Sequence, residues 1–368
     1  MMLLPLITFM GLMLGLHDAE IVFVGDAMQH QAQLDAARRG NGSWDYSECF
    51  AEVAPWFKTA DLAVVNLETP IGPAPHSGYP CFNAPEPFIH ALRDAGFGLF
   101  LTANNHTLDR RDRGLRHTID ALDRNGLPHL GTYKDAAARD TLMPHIRTVR
   151  GIRIGFINYT YGTNGITARD GAHVDYIDTA RIAADIRATR GAGAEIICAC
   201  MHWGDEYHQL PNASQRRLAD WLQARGVELI IGAHPHVVQP MELRDNPDGS
   251  HCLVVYSLGN FISNMRTRDT RGGAAVTVRL ERGTDGIVRV AYAGWQLHFT
   301  EPADGKRNFR VVDAYESDDP RAAAFRTAAE RLFHAHNVNV PRISSARWLM
   351  PAEKQPGAGI PKGSSGQN

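Results

Sequence analysis

Seven short apolar runs punctuate the chain, at 21–25, 62–66, 99–102, 152–159, 196–202, 229–232 and 253–257. Their length and content predict buried β-strands. Amphipathic stretches with helical spacing lie between them, near 46–58, 86–95, 113–125, 178–190 and 213–225. Pro85 and Pro87 stand at the start of the second, where a missing amide hydrogen is tolerated. Gly96, Gly126 and Gly226 follow three of the stretches as C-terminal caps. Strands alternating with helices predict a layered α/β architecture. After Ser263 the pattern changes. Two β-rich runs, 273–282 and 286–299, are joined by Gly283-Thr284-Asp285-Gly286 and read as a hairpin adding to a second sheet. A helix at 320–336 follows, then a Pro/Gly/Ser tail expected to be disordered.

This pattern divides the chain into an apolar segment (1–19), a main domain (20–300), a C-terminal extension with one helix (301–350) and a tail (351–368). Residues 1–16, MMLLPLITFMGLMLGL, are almost wholly apolar. Their length suits the core of a signal peptide better than a membrane span, which needs roughly 20 apolar residues. An exported or cell-envelope protein is therefore expected. No Lys or Arg precedes the run, which keeps a cytoplasmic chain with an apolar N-terminal extension as the alternative.

Composition narrows the function classes. At 368 residues, 44% hydrophobic, the chain has ample material for one large domain or two ordinary ones. A net charge of −2 with no clustered basic face argues against nucleic acid as a partner. Five cysteines at irregular spacing are no disulfide framework. Cys198 and Cys200 alternate along a predicted strand, and read as small buried residues rather than a thiolate metal pair.

The chemistry-bearing residues cluster where predicted strands end. Ile21–Val24 delivers Asp26, and 61–65 delivers Asn66 and Glu68 on one face. The run at 99–102 leads into Asn104-Asn105-His106, 196–201 ends in His202, and 229–233 leads into His234-Pro235-His236. Ligands of open α/β sheets gather at such ends, because the following loops can be polar without disturbing the core. Each cluster has an ordinary structural alternative: a helix cap for Asp26, a turn for Asn104–His106, a satisfied core imidazole for His202. All of these would have to hold together. Two carboxylates, one amide and three imidazoles suit zinc, manganese or iron better than calcium. Six donors exceed one tetrahedral site and match two divalent transition-metal ions sharing a carboxylate, for which Glu68 is the choice.

The string Gly25-Asp26, Asn66-Leu67-Glu68, Ala103-Asn104-Asn105-His106, Asp112-x-Gly114, His202-Trp203-Gly204-x-Glu206-Tyr207, Gly232-Ala233-His234-Pro235-His236 and Tyr256-Ser257-Leu258-Gly259-Asn260-Phe261 resembles the CapA family. These are poly-gamma-glutamate capsule biosynthesis proteins of the calcineurin-like metallophosphoesterase superfamily. The resemblance covers about 20–264 and implies a four-layer α/β/β/α sandwich. It implies one ion held by Asp26, Glu68 and His236 and another by Glu68, Asn105, His202 and His234, with His106 as general acid. It departs from the wider superfamily at Met28, where an imidazole is usual, and at Glu68, where Asp is usual. The implied function is a metal-dependent hydrolase in the synthesis of an anionic polymer, acting on the polymer or a phosphoester. The alternative is a non-enzymatic accessory protein that binds the polymer or its membrane-bound synthase. His106 favours the enzyme, since a purely structural site needs no spare imidazole beside its ligands.

Overall fold

The computed structural model describes residues 18–344, so most of the 1–19 segment and all of the tail from 351 lie outside the described residues. Two sheets form the centre. The larger runs, in spatial order, Arg310–Asp313, Val288–Glu301, Gly272–Arg282, Asp18–Ala27, Leu62–Leu67, Phe97–Leu101 and His129–Leu130, with Asn260–Ile262 pairing on the end of Asp18–Ala27. The smaller runs Met241–Asp245, His251–Val255, Leu229–Ala233, Ile196–His202, Ile152–Thr160 and His145–Val149.

Alternation along the strands explains why the sheets stack. On Ile196–His202, Ile196, Cys198 and Cys200 face a core shared with Phe23, Val64 and Leu101 of the larger sheet. Ile197, Ala199 and Met201 face the opposite way, onto Ile182, Ile186, Ala219 and Leu222 of the helices Thr179–Gly191 and Ala213–Gln223. The larger sheet repeats the arrangement, with Val22, Val24, Val65 and Phe100 packed on Trp56, Phe57, Phe88 and Leu92. The order helix, sheet, sheet, helix is the four-layer α/β/β/α sandwich. Cys198 and Cys200 are buried, and burial pushes the Cys198 thiol up, away from the thiolate a metal would need.

Two expectations are corrected. The late hairpin joins no separate sheet: Gly272–Arg282 pairs antiparallel with Asp18–Ala27, its own apolar face completing the shared core. The stretch at 46–58 is helical only over Ala54–Lys58. Pro55 sits in its first turn, and a proline further along a continuous helix would remove a backbone bond and clash with the preceding turn. The helix Pro320–His336 lays Ala322, Phe325, Ala329 and Phe333 against the shared core.

Parallel strands carry their polar ends to one rim. Asp26 pairs with Asn66, and His202 with Ala233, so both sheets open their C-terminal ends to the same place. Gly25 makes this possible, because a Cβ there would stand 1.8 Å from the Gly259 carbonyl oxygen.

Candidate metal centre

Asp26 follows a register irregularity in its strand, which turns the carboxylate towards the neighbouring sheet. It is fully buried. Asn66 Nδ2 donates to Asp26 Oδ1 at 2.7 Å, and His236 Nδ1 stands 3.1 Å from Asp26 Oδ2. Asn260 Oδ1 lies 3.0 Å from the same imidazole nitrogen, so the turn after Leu258 holds the His236 ring. Glu68, also fully buried, lies between the two sheets' contributions: its Oε1 is 3.6 Å from His202 Nε2 and 3.9 Å from His236 Nε2.

His202 Nε2 lies 2.9 Å from Asn105 Oδ1, and Asn105 Nδ2 donates to Asn164 Oδ1 at 3.3 Å. The adjacent Asn104 is turned the other way. It receives the His106 amide at 3.1 Å and donates to the Leu67 carbonyl at 2.9 Å, fixing the turn that presents Asn105 and His106. His234 and His236 have φ of +100° and +58°. Such values are costly for residues with a Cβ and mark a turn over-determined by its surroundings. The His234 ring lies 4.8 Å from that of His202 and 5.9 Å from that of His236.

The six sequence-predicted ligands thus come from separate strand ends into one cluster. Two overlapping sets have donor atoms within 4.8 Å of one another: Glu68, His202 and His234, and Asp26, Glu68 and His236. Glu68 is common to both. Its Oε1 and the Nδ1 of His234 are buried with no hydrogen-bond partner. Orphaned atoms of this kind normally cost free energy, and a divalent cation would satisfy both. Hard oxygen and imidazole nitrogen in these sets fit such a cation.

The electrostatics fit as well. Burial, then the charge of Asp26, pushes the Glu68 carboxyl well up. Burial also acts on Asp26, but the His236 hydrogen bond and charge outweigh it and hold that carboxyl below the usual range. Burial and neighbouring His236 push His234 down to about 3, and burial with His234 lowers His202. His202 and His234 are consequently neutral with lone pairs available, the form that ligates metal.

His106 is buried beside the cluster, its Nδ1 2.9 Å from Asp109 Oδ2. Phe82 and Tyr79 approach its ring at 4.6 Å and 6.5 Å, so the proline-rich loop after Glu68 forms one wall. Tyr161 packs 4.5 Å from His234. Sequence reasoning missed Asp109, Asn164 and Tyr161 as parts of the site. It also set aside His30, whose ring meets Phe82 at 5.3 Å and whose Nδ1 accepts the Asn264 amide at 3.3 Å. Asp109 alone had a visible signal, its spacing of three from His106 in a turn.

Residues 20–265, more than half of the chain, match the family described as bacterial capsule synthesis protein PGA_cap. The chain belongs to the PGA_cap family. Among curated relatives, the PGA biosynthesis protein CapA of Bacillus subtilis is 26% identical over 297 residues, covering 78% of this chain and 73% of the relative. The capsule biosynthesis protein CapA of Bacillus anthracis is 26% identical, covering 73% and 66%. A probable polyglutamine synthesis accessory protein of Mycobacterium tuberculosis is 24% identical, covering 60% of each chain. Among solved structures, the NAD nucleotidase of Haemophilus influenzae aligns with a TM-score of 0.46 and 15% identity, over 85% of this chain and 56% of that one. The six clustered donors of this PGA_cap chain all fall within the matched residues.

Proposed function

We propose that this PGA_cap protein is a metal-dependent hydrolase of phosphoesterase type, with two divalent transition-metal ions, serving the synthesis of poly-gamma-glutamate or a related anionic polymer. The observation carrying this reading is Glu68, shared by two donor sets and left with an unpartnered buried oxygen. Asp26, Glu68 and His236 would hold one ion, and Glu68, Asn105, His202 and His234 the other. Bound there, the pair would supply Lewis-acid activation of water and neutralise charge on the scissile group.

The chain's own residues do the rest. Asp109 accepts the Nδ1 hydrogen of His106 and so supports the doubly protonated ring, whose Nε2 hydrogen is the proton handed to the leaving oxygen. Phe82 and Tyr79 shield that imidazole from bulk water. Asn66 braces Asp26, and Asn260 braces His236, so both donors meet the substrate side in a fixed orientation.

The substrate in this reading is the anionic polymer or a phosphoester intermediate, the partner a membrane-bound polymer synthase, and the location the cell envelope. A screen of phosphoesters and gamma-glutamyl amides, run beside metal analysis, tests it. Turnover of one class by the metal-loaded protein, lost in His106→Ala with metal retained, supports the hydrolase. Full metal with no turnover of any substrate would leave the accessory role, in which the ions only brace the fold.

A further inference from the structure

The two donor sets are unequal. Glu68, His202 and His234 are joined by Asn105, whose Oδ1 is 2.9 Å from His202 Nε2, giving four donors. Asp26, Glu68 and His236 have three. Met28, two residues beyond Asp26, is buried and brings no hard donor. A catalytic ion of this kind takes as few as three protein donors, with water in the remaining position.

A third set lies on the solvent side of the same imidazoles. Glu206, His234 and His236 each offer one donor atom within 4.8 Å of the others. Glu206 is the exposed member, and an exposed acid by itself would mean nothing. Two further facts direct it inward. His234 Nδ1 is buried and has no hydrogen-bond partner, so the cluster faces an unsatisfied nitrogen. The segment carrying Glu206 is also fastened to the histidine turn, since the Tyr207 amide donates to the Pro235 carbonyl at 2.8 Å. Tyr207 adopts φ of +67° in doing so. That strain is the cost of folding Gly204–Tyr207 back over the site. The neighbouring Asp205 is engaged elsewhere, accepting from Asn212 Nδ2 at 2.9 Å.

We propose that Glu206 is a further donor to this centre, added from the solvent side beside His234 and His236 and supplementing the position of Asp26, Glu68 and His236, which holds one donor fewer than the other. This rests on the two-ion reading and says which further chain atom joins it. A donor on an exposed side chain can also leave without disturbing buried structure, so this ion is the more exchangeable of the two.

The test is manganese binding, read without any substrate. The full chain is loaded with manganese(II), freed of excess, and its content and affinity measured by mass spectrometry and chelator competition. Glu206→Gln is expected to keep one tightly held ion and to bind the other about tenfold more weakly or worse. Asp205→Asn, altering a neighbouring acid, is expected to match the wild type. Equal content and affinity in Glu206→Gln and wild type would overturn the inference while leaving the two-ion centre standing. A wild-type protein that binds no manganese would overturn both. Since Glu206 is exposed, unchanged melting of the variant separates lost binding from lost fold.

Discussion

His106 and Asp109 form a buried pair in which one carboxylate oxygen serves two donors. Asp109 Oδ2 lies 2.9 Å from His106 Nδ1 and accepts the Phe82 amide at 2.8 Å. The imidazole is thereby tied both to its own turn and to the loop that walls the site. Asp109→Asn keeps the shape but replaces the carboxylate that supports the protonated ring by a neutral amide. The expected outcome is a fall in kcat of about 10–100-fold with KM little changed, and in His106→Ala a fall of ~10²–10⁴-fold. Metal content is expected to match the wild type in both. Steady-state kinetics on whichever ester is turned over, with metal analysis of the same samples, checks this.

Asp112 controls the site from a distance. Its carboxylate accepts the amides of Arg169 at 3.0 Å, Asp170 at 2.9 Å and Ala172 at 3.2 Å, anchoring the segment that also carries Asn164. Asn164 in turn holds the Asn105 amide. Asp112→Ala strands three backbone donors, and a loss of about 1–3 kcal/mol is expected, read by denaturant unfolding. Asn164→Gly, which accepts that residue's φ of +51°, is expected to leave stability nearly unchanged and to weaken binding of the ion that Asn105 would hold. Equal metal affinity in Asn164→Gly would refute the bracing role.

His298 sets a limit on acid stability. It is fully buried against Phe261, 5.3 Å away, with neither ring nitrogen hydrogen-bonded. Burial pushes it from its ordinary 6.5 down to about 3. The unfolded chain therefore takes up a proton that the folded chain refuses. Its contribution to stability is fully present above 6.5 and is lost as pH falls through that value towards about 3. His298→Leu removes the proton uptake, and acid unfolding is expected to move down by about half a pH unit or more. Circular dichroism across pH 7 to 3 reads the shift, and an unchanged or higher midpoint would refute it.

Much of this architecture is legible in the residues because the signals are local. Apolar runs of strand length ending in Asp26, Glu68, His202 and His234 announce both the sheets and the rim where they meet. What stayed hidden depends on chain reversal. The short helix Gln31–Ala37 has too few residues to show a period, and it brings His30 towards the Phe82 wall. Asn164 and Tyr161 lie in a turn with no periodic pattern; the packing of one sheet on the other carries Asn164 to Asn105, and the strand order of the smaller sheet carries Tyr161 to His234. The hairpin after Gly272 was visible as a hairpin, but its partner was not, because strand pairing across about 250 residues leaves no spacing to read.

Whether two bound cations share Glu68 is tested most directly by metal stoichiometry. Wild-type protein, purified without chelator and supplied with manganese, zinc or iron, is expected to hold up to two ions per chain. Glu68→Gln and His234→Ala are each expected to lose most of that content while remaining folded by circular dichroism. A wild-type chain with no bound transition metal, or a Glu68→Gln variant with the full complement, would contradict the shared-carboxylate centre.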